Sequence, residues 1–149
     1  MSENKVVLSV CIRSFNQKRF ICQALDSVLE QKTMFPFEII VSDDCSTDGT
    51  REILLEYQQH YPERIRLILG ESNVGGPCNL RRVIEASTAK YITCLDGDDY
   101  YIDKYKLQKQ VEFLEENDRY SACFHNVMDV NESKDSKGLF LPLNFPEEV

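Results

Sequence analysis

The sequence predicts an α/β fold, a mostly parallel sheet with helices on both faces. Two observations predict it. Short β-branched runs alternate with stretches of helical apolar spacing, and the connections between them are short. Strands that alternate with helices in this way pair in parallel through right-handed crossovers.

The elements follow in order. Val6 to Ile12 is a short β-branched run and reads as a buried strand. Ile21, Ala24, Leu25, Val28 and Leu29 then repeat with helical spacing, one stripe facing a core. Phe37 to Val41 is the second strand. Ile53, Leu54, Tyr57 and Tyr61 mark the second helix, with Pro62 just beyond as a stop signal. Ile65 to Leu69 is the third strand. Pro77 suits the first turn of a third helix, whose apolar face is Leu80, Val83 and Ile84. Tyr91 to Leu95 is the fourth strand. Leu107, Val111 and Leu114 line a fourth helix, for which Asp103 is the expected cap. Ala122 to Val127 is expected as a fifth strand. Asp129 to Gly138 is polar and reads as a loop, and Leu139 to Val149 is apolar without a period.

The chain has 149 residues, enough for one domain with a real core. The apolar share of 42% is that of a globular chain. No apolar run approaches the roughly 18 residues that a membrane span needs. The opening Met1-Ser2-Glu3-Asn4-Lys5 lacks the layout of a signal peptide. A cytoplasmic protein is the expectation, with room for docking at the inner face of the membrane. The six cysteines, Cys11, Cys22, Cys45, Cys78, Cys94 and Cys123, are scattered without a C-x-x-C pair. They read as reduced thiols, with Cys11, Cys94 and Cys123 as small core residues. Zinc would need clustered Cys and His, and only His60 and His125 exist. The net charge of −8 argues against nucleic acid as a partner, since tracking a phosphate backbone takes Lys and Arg. A phosphate ligand remains compatible if a metal ion bridges the charges.

In an open parallel sheet, ligands bind beyond the carboxyl ends of the strands. The polar clusters of this chain fall there. Ser14, Phe15 and Asn16 follow the first strand; Asp43, Asp44, Ser46 and Asp48 follow the second. Asn73, Gly75 and Gly76 follow the third; Asp96, Asp98 and Asp99 follow the fourth. Their convergence on one edge carries more weight than any one motif.

Asp96-Gly97-Asp98-Asp99 is the sharpest cluster. Three carboxylates within four residues repel one another unless a cation neutralises them. Oxygen ligands select a hard ion such as magnesium or manganese, commonly held by one or two carboxylates plus substrate phosphates. A hairpin is the alternative, because Asp-Gly is a favoured turn and apolar residues flank it. The helical spacing from Tyr105 to Asn117 weighs against the hairpin. Asp48 reads as a helix cap. Asp44 reads better as a ligand, since a second acid beside it is awkward for a cap alone. Gly75-Gly76 fits a turn and a close backbone approach to a ligand equally well. Phe15 fits the core or stacking on a base. Arg81 and Arg82 read as a solvated face or a phosphate contact.

These segments resemble the family 2 glycosyltransferases with the GT-A fold, a Rossmann-like mostly parallel sheet. The resembling stretches are Leu8 to Asn16, Leu25 to Gln31, Glu38 to Thr50, Asn73 to Gly76 and Tyr91 to Asp99. Order and spacing match from about Val7 to Asn117. The resemblance implies a nucleotide-sugar donor, usually of UDP, and a divalent metal, Mn or Mg. Phe15 would lie against the nucleobase and Asp44 would hydrogen-bond it. Asp96 would contact the ribose. Asp98, ending the family's D-x-D motif, would bind the metal, with Asp99 supporting it. Transfer to a glycan or lipid-linked acceptor, with inversion, is the implied reaction, and surface glycan synthesis the implied setting.

Two features depart from the family. A basic residue often precedes the asparagine matching Asn79, and here that position is Cys78. One phosphate or ribose contact is therefore expected to be absent or supplied by Arg81 or Arg82. The family's catalytic base and acceptor loops lie well after the D-x-D motif, whereas this sequence ends at Val149. Residues 1–149 are therefore expected to be a nucleotide-sugar-binding GT-A domain, the donor half of a longer protein. Asp129 and Glu132 lie in a stretch without a motif, and no catalytic base is assigned. Two rival functions are weighed beside this one. A metal-dependent phosphotransferase would want D-x-D-G-T, but Asp44 is four positions before Asp48, so the spacing fails. A non-catalytic nucleotide-sugar-binding module would bind the donor without transferring its sugar.

Overall fold

Residues 5–131 and 136–139 are described by the structure, a computed structural model. The expectations at Met1 to Asn4, at Glu132 and over Phe140 to Val149 lie outside the described residues. Two compact units are present, Met1–Val111 and Glu112–Val149.

The first unit holds the parallel sheet: β1 (Leu8–Ser14), β2 (Phe37–Asp43), β3 (Ile65–Leu69) and β4 (Tyr91–Asp96), in the order β3-β2-β1-β4. Between them come α1 (Ile21–Leu29), α2 (Thr50–His60) and α3 (Gly76–Glu85), and α4 (Lys106–Glu116) follows β4. Three strands run one or two residues beyond their apolar runs. β1 reaches Ser14, β2 reaches Asp43 and β4 reaches Asp96. The ladder explains the extension, because Ser14 pairs with Asp43 and Arg13 with Asp96. Polar residues at the site edge are thereby held by the sheet itself.

Side chains alternate across each strand and build two cores. Val10 and Ile12 of β1 with Ile39 and Val41 of β2 pack against Ile21, Leu25 and Val28 of α1, Leu54 of α2 and Leu107 of α4. Cys11 and Ile40 face the other way and pack against Val83 of α3. Helices thus cover both faces, as expected. Pro77 sits in the first turn of α3, where its missing N–H costs nothing. The Asp103 carboxylate accepts the Tyr105 N–H at 2.9 Å and the Lys109 ammonium at 2.7 Å, just before α4.

All six cysteines are free thiols. The core reading holds for Cys11, whose thiol is pushed up to about 12 by burial. It fails for Cys94, which is exposed, and for Cys123, which is half-buried. Cys94 faces the α3 side of β4, where Ile92 is also exposed. β4 is the outer strand of this sheet, and α3 packs on β1 and β2.

In the second unit the expected fifth strand at Ala122 to Val127 does not form. That stretch is irregular, and Phe124 is exposed. An apolar run becomes a strand only when a neighbouring strand pairs with it, and the ladders of the described residues do not include this run. The strands lie instead in the stretch expected as a loop. β5 (Met128–Asn131) pairs antiparallel with β6 (Ser136–Leu139). Closing so short a segment on itself takes little chain entropy.

Candidate functional site

The sheet order places the switch point of the topology between β1 and β4. β2 and β3 extend the sheet to one side of β1, and β4 is laid down on the other. Consecutive crossovers diverge there and leave a crevice beyond the carboxyl ends of the strands. The end residues of both strands, Arg13 and Asp96, meet across it. The Arg13 guanidinium holds the Asp96 carboxylate in a bidentate pair, Nε to Oδ1 and Nη2 to Oδ2, the latter at 2.8 Å. Asp96 raises the Arg13 pKa further by this hydrogen bond.

The acidic pair after β2 divides its work. Asp43 is fully buried, and its carboxylate accepts hydrogen bonds from Ser46 Oγ, from the Ser46 N–H at 3.1 Å and from Arg51 Nε at 3.2 Å. Arg51 also donates to the Gly70 carbonyl, so one guanidinium ties the ends of β2 and β3 together. Asp44, 2% exposed, accepts the Val74 N–H at 3.0 Å and the Gly75 N–H at 2.9 Å. It pins the glycine loop that leads into α3. Gly75 has φ +85°, a conformation that needs glycine. A Cβ at Gly76 would lie 3.4 Å from Arg13 Nη1, so the guanidinium sits beside the start of α3.

The loop after β1 is stitched to the loop after β2. Asn16 has φ 51°, a left-handed turn that asparagine tolerates. Its N–H donates to Ser46 Oγ at 2.9 Å, and its Oδ1 accepts the Thr47 N–H at 2.8 Å. The N-cap of α2 is Gly49; Asp48, expected as the cap, lies one residue before it and accepts the Thr50 N–H and the Lys18 N–H, each at 3.0 Å, which ties the first turn of α2 to the loop after β1. Phe15 is 45% exposed beside Asn16, which leaves its ring face open for stacking. Ser14 is buried, and its Oγ has no hydrogen-bond partner among the described residues.

Asp98 and Asp99 stand exposed on the turn after β4, whose Asp99 N–H donates to the Asp96 carbonyl at 2.9 Å. Partial desolvation, then the charges of Asp98 and Asp96, push the Asp99 carboxyl above its ordinary value. Gly97 is buried between them: a Cβ there would lie 2.3 Å from Gln17 Oε1 and 3.0 Å from Ile21 Cδ1. The glycine keeps the turn tight against Gln17 and Ile21. Among the described residues no group of three or more His, Cys, Asp or Glu side chains converges as a closed metal cage. Two exposed carboxylates, with Asp96 already engaged by Arg13, suit a magnesium or manganese ion that completes its shell with substrate phosphates. The donor set fits such an ion.

Sequence reasoning did not single out several residues that shape this edge. Arg13 carried a signal: a charge inside the run Leu8 to Ser14 demands a partner when the strand is buried. Arg51 and Gln17 carried none. Asn79 is buried and joins α3 to the sheet, accepting from Ser42 Oγ and donating to the Ser42 carbonyl at 2.9 Å.

Known proteins share this arrangement. Glycosyl transferase family 2 matches residues 9–142 of the chain. An uncharacterised protein of Mycobacterium tuberculosis is 37% identical over 142 residues, 95% of this chain and 41% of its own length. The putative teichuronic acid biosynthesis glycosyltransferase TuaG of Bacillus subtilis is 39% identical over 116 residues, 78% of this chain and 45% of its own. The crystal structure of Staphylococcus aureus TarS 1-349 in complex with UDP aligns with a TM-score of 0.66 at 30% identity, covering 76% of this chain and 33% of that one. The chain spans less than half the length of these relatives. The sheet with its acidic crevice is a GT-A fold. With a family match running from β1 through the turn after β4 and beyond, this chain belongs to glycosyl transferase family 2.

Proposed function

We propose that the chain binds a nucleotide diphosphate sugar, of UDP, together with a magnesium or manganese ion, as the donor-binding part of a glycosyltransferase. The acidic crevice at the switch point carries this reading: Asp96, Asp98 and Asp99 gather within four residues at the end of β4. Phe15 stacks on the base. Asn16 and Ser14 shape the loop beneath it, and Asp43 and Asp44 fix the loops on either side. Asp44 also offers its remaining lone pairs to the base, and Asp96 offers its own to the ribose hydroxyls. Gly75 and Gly76 bring backbone close to the diphosphate.

Asp98 and Asp99 hold the metal, which when bound stabilises the charge on the departing nucleotide diphosphate. The sugar passes with inversion to a glycan or lipid-linked acceptor. TarS, whose structure holds UDP, supports the uridine assignment. No described helix is long and apolar enough to cross a membrane. Work at the cytoplasmic face of the membrane fits a lipid-linked acceptor.

Calorimetric titration of UDP tests the reading, with manganese and with chelator, on wild type and Asp98→Ala. Binding is expected with manganese and not with chelator. Asp98→Ala should weaken it roughly tenfold or more, the scale of losing one interaction with a charged group. A folded wild type that binds no UDP in manganese would sink the uridine assignment.

A further inference from the structure

The family's basic residue before the matching asparagine is replaced here by Cys78, and three arginines could take its place. The structure separates them. Arg81 pairs with Glu85 at 2.7 Å on the outer face of α3, its side chain 78% exposed. Arg82 is turned under the glycine loop: its Nη1 is buried, 3.9 Å from Asp44 Oδ1 and packed on Gly70. Arg13 alone of the three has its guanidinium at the switch point, between Asp96 and the start of α3.

The geometry of Arg13 is that of a prepared donor. Nε and Nη2 are held by Asp96, which fixes the plane of the fork. Nη1 donates to no described residue and lies against Gly76. The side chain is 36% exposed, so a ligand in the crevice can reach it. The first turn of α3 lies beside it and has no side-chain cap, which favours a negative group at the same place.

We infer that Arg13 supplies the cation of the donor site, offering its free N–H groups to a phosphate oxygen of a nucleoside diphosphate lying between β4 and the start of α3. This rests on the donor-binding reading above and deepens it. The Asp96 pair orients the guanidinium beside Gly76. A phosphate oxygen bound there gains a charge-assisted hydrogen bond whose donor needs no reordering.

UDP and uridine are titrated into the whole chain at saturating manganese, the first by calorimetry and the second by NMR. The proteins are wild type, Arg13→Ala and Arg13→Gln. Arg13→Gln keeps a side-chain amide that can donate to Asp96 and serves if Arg13→Ala does not fold. Both variants are expected to bind UDP roughly tenfold to a hundredfold more weakly, the range for hydrogen bonds to charged groups. Uridine, which has no phosphate, should bind all three proteins alike. UDP affinity unchanged in the folded variants would overturn the inference and leave the donor reading standing. So would a parallel loss of uridine, which would make Arg13 a prop for the nucleoside end. A wild type that binds neither ligand overturns both.

Discussion

Five aspartates at one edge of the sheet show how surroundings set the role of a residue type. Asp43 is buried under Ser46 and Arg51 and serves the framework. Asp44 holds a loop by two backbone N–H groups. Asp98 and Asp99 stand in the open, where a cation can reach them. Asp48 anchors the start of α2, and its energetics can be isolated. Partial desolvation pushes its carboxyl up, but hydrogen bonds from the Thr50 hydroxyl and from the Lys18 and Thr50 N–H groups outweigh it. The net direction is down from 3.8. A carboxyl depressed in the folded state adds stability above its unfolded pKa and loses it as pH falls through the folded value. Asp48→Ala should therefore cost about 1 kcal/mol at neutral pH, the usual net worth of an intramolecular hydrogen bond. The gap to wild type should narrow once pH drops below 3.8. Urea unfolding at a series of pH values measures it, and a gap that widens on acidification would contradict the assignment.

At the scale of the element, α3 is the most informative. It is held to the sheet by an apolar contact and by a buried polar joint. Val83 packs on Cys11 and Ile40, while Asn79 bonds to Ser42 in β2 and, at 3.4 Å, to the Ser14 carbonyl in β1. Asn79→Ala would leave the Ser42 hydroxyl without its acceptor in a dry place and take one donor from the Ser42 and Ser14 carbonyls, of which Ser14 keeps the Asp44 N–H. A loss of about 3 kcal/mol is expected from orphaned buried groups. The urea midpoint should fall with the slope unchanged, and a loss within error would show that water replaces the amide. The helix itself was legible, since Pro77 and the spacing of Leu80, Val83 and Ile84 are local signals. So were β1 to β4, α1, α2 and α4, each carried by its own period. The site was legible as a set of loops, because acids and glycines cluster after the strands. The joints between loops were not. Arg13 and Asp96 are 83 residues apart, and Asp44 is 30 from Val74. Nothing local in either segment names its partner; only the strand order brings them together. The fifth strand failed for the same reason: Ala122 to Val127 has the composition of a strand, but composition does not supply a neighbour to pair with.

The whole molecule carries a net charge of −8, and the proposed ligand is an anion as well. That combination sets a sign. Without metal, UDP approaches a crevice where Asp96, Asp98 and Asp99 outnumber the cation Arg13 within a protein that repels it from every side. Salt screens this repulsion, over a Debye length of about 10 Å at 0.1 M. Metal-free UDP binding should therefore strengthen or stay flat as sodium chloride is raised. With manganese bound, the crevice gains two positive charges, and the attraction that results is the one that salt screens. Binding in manganese should weaken as salt rises. A protein that tracks phosphates with Lys and Arg weakens steeply with salt and needs no metal. Calorimetry of UDP across a salt series, with manganese and with chelator, gives the two slopes. Opposite signs would place the ion at the centre of recognition. A steep loss with salt in chelator would instead mean that Arg13 and the start of α3 dominate the field of the acids, and that the donor diphosphate is recognised chiefly by the protein's own cation.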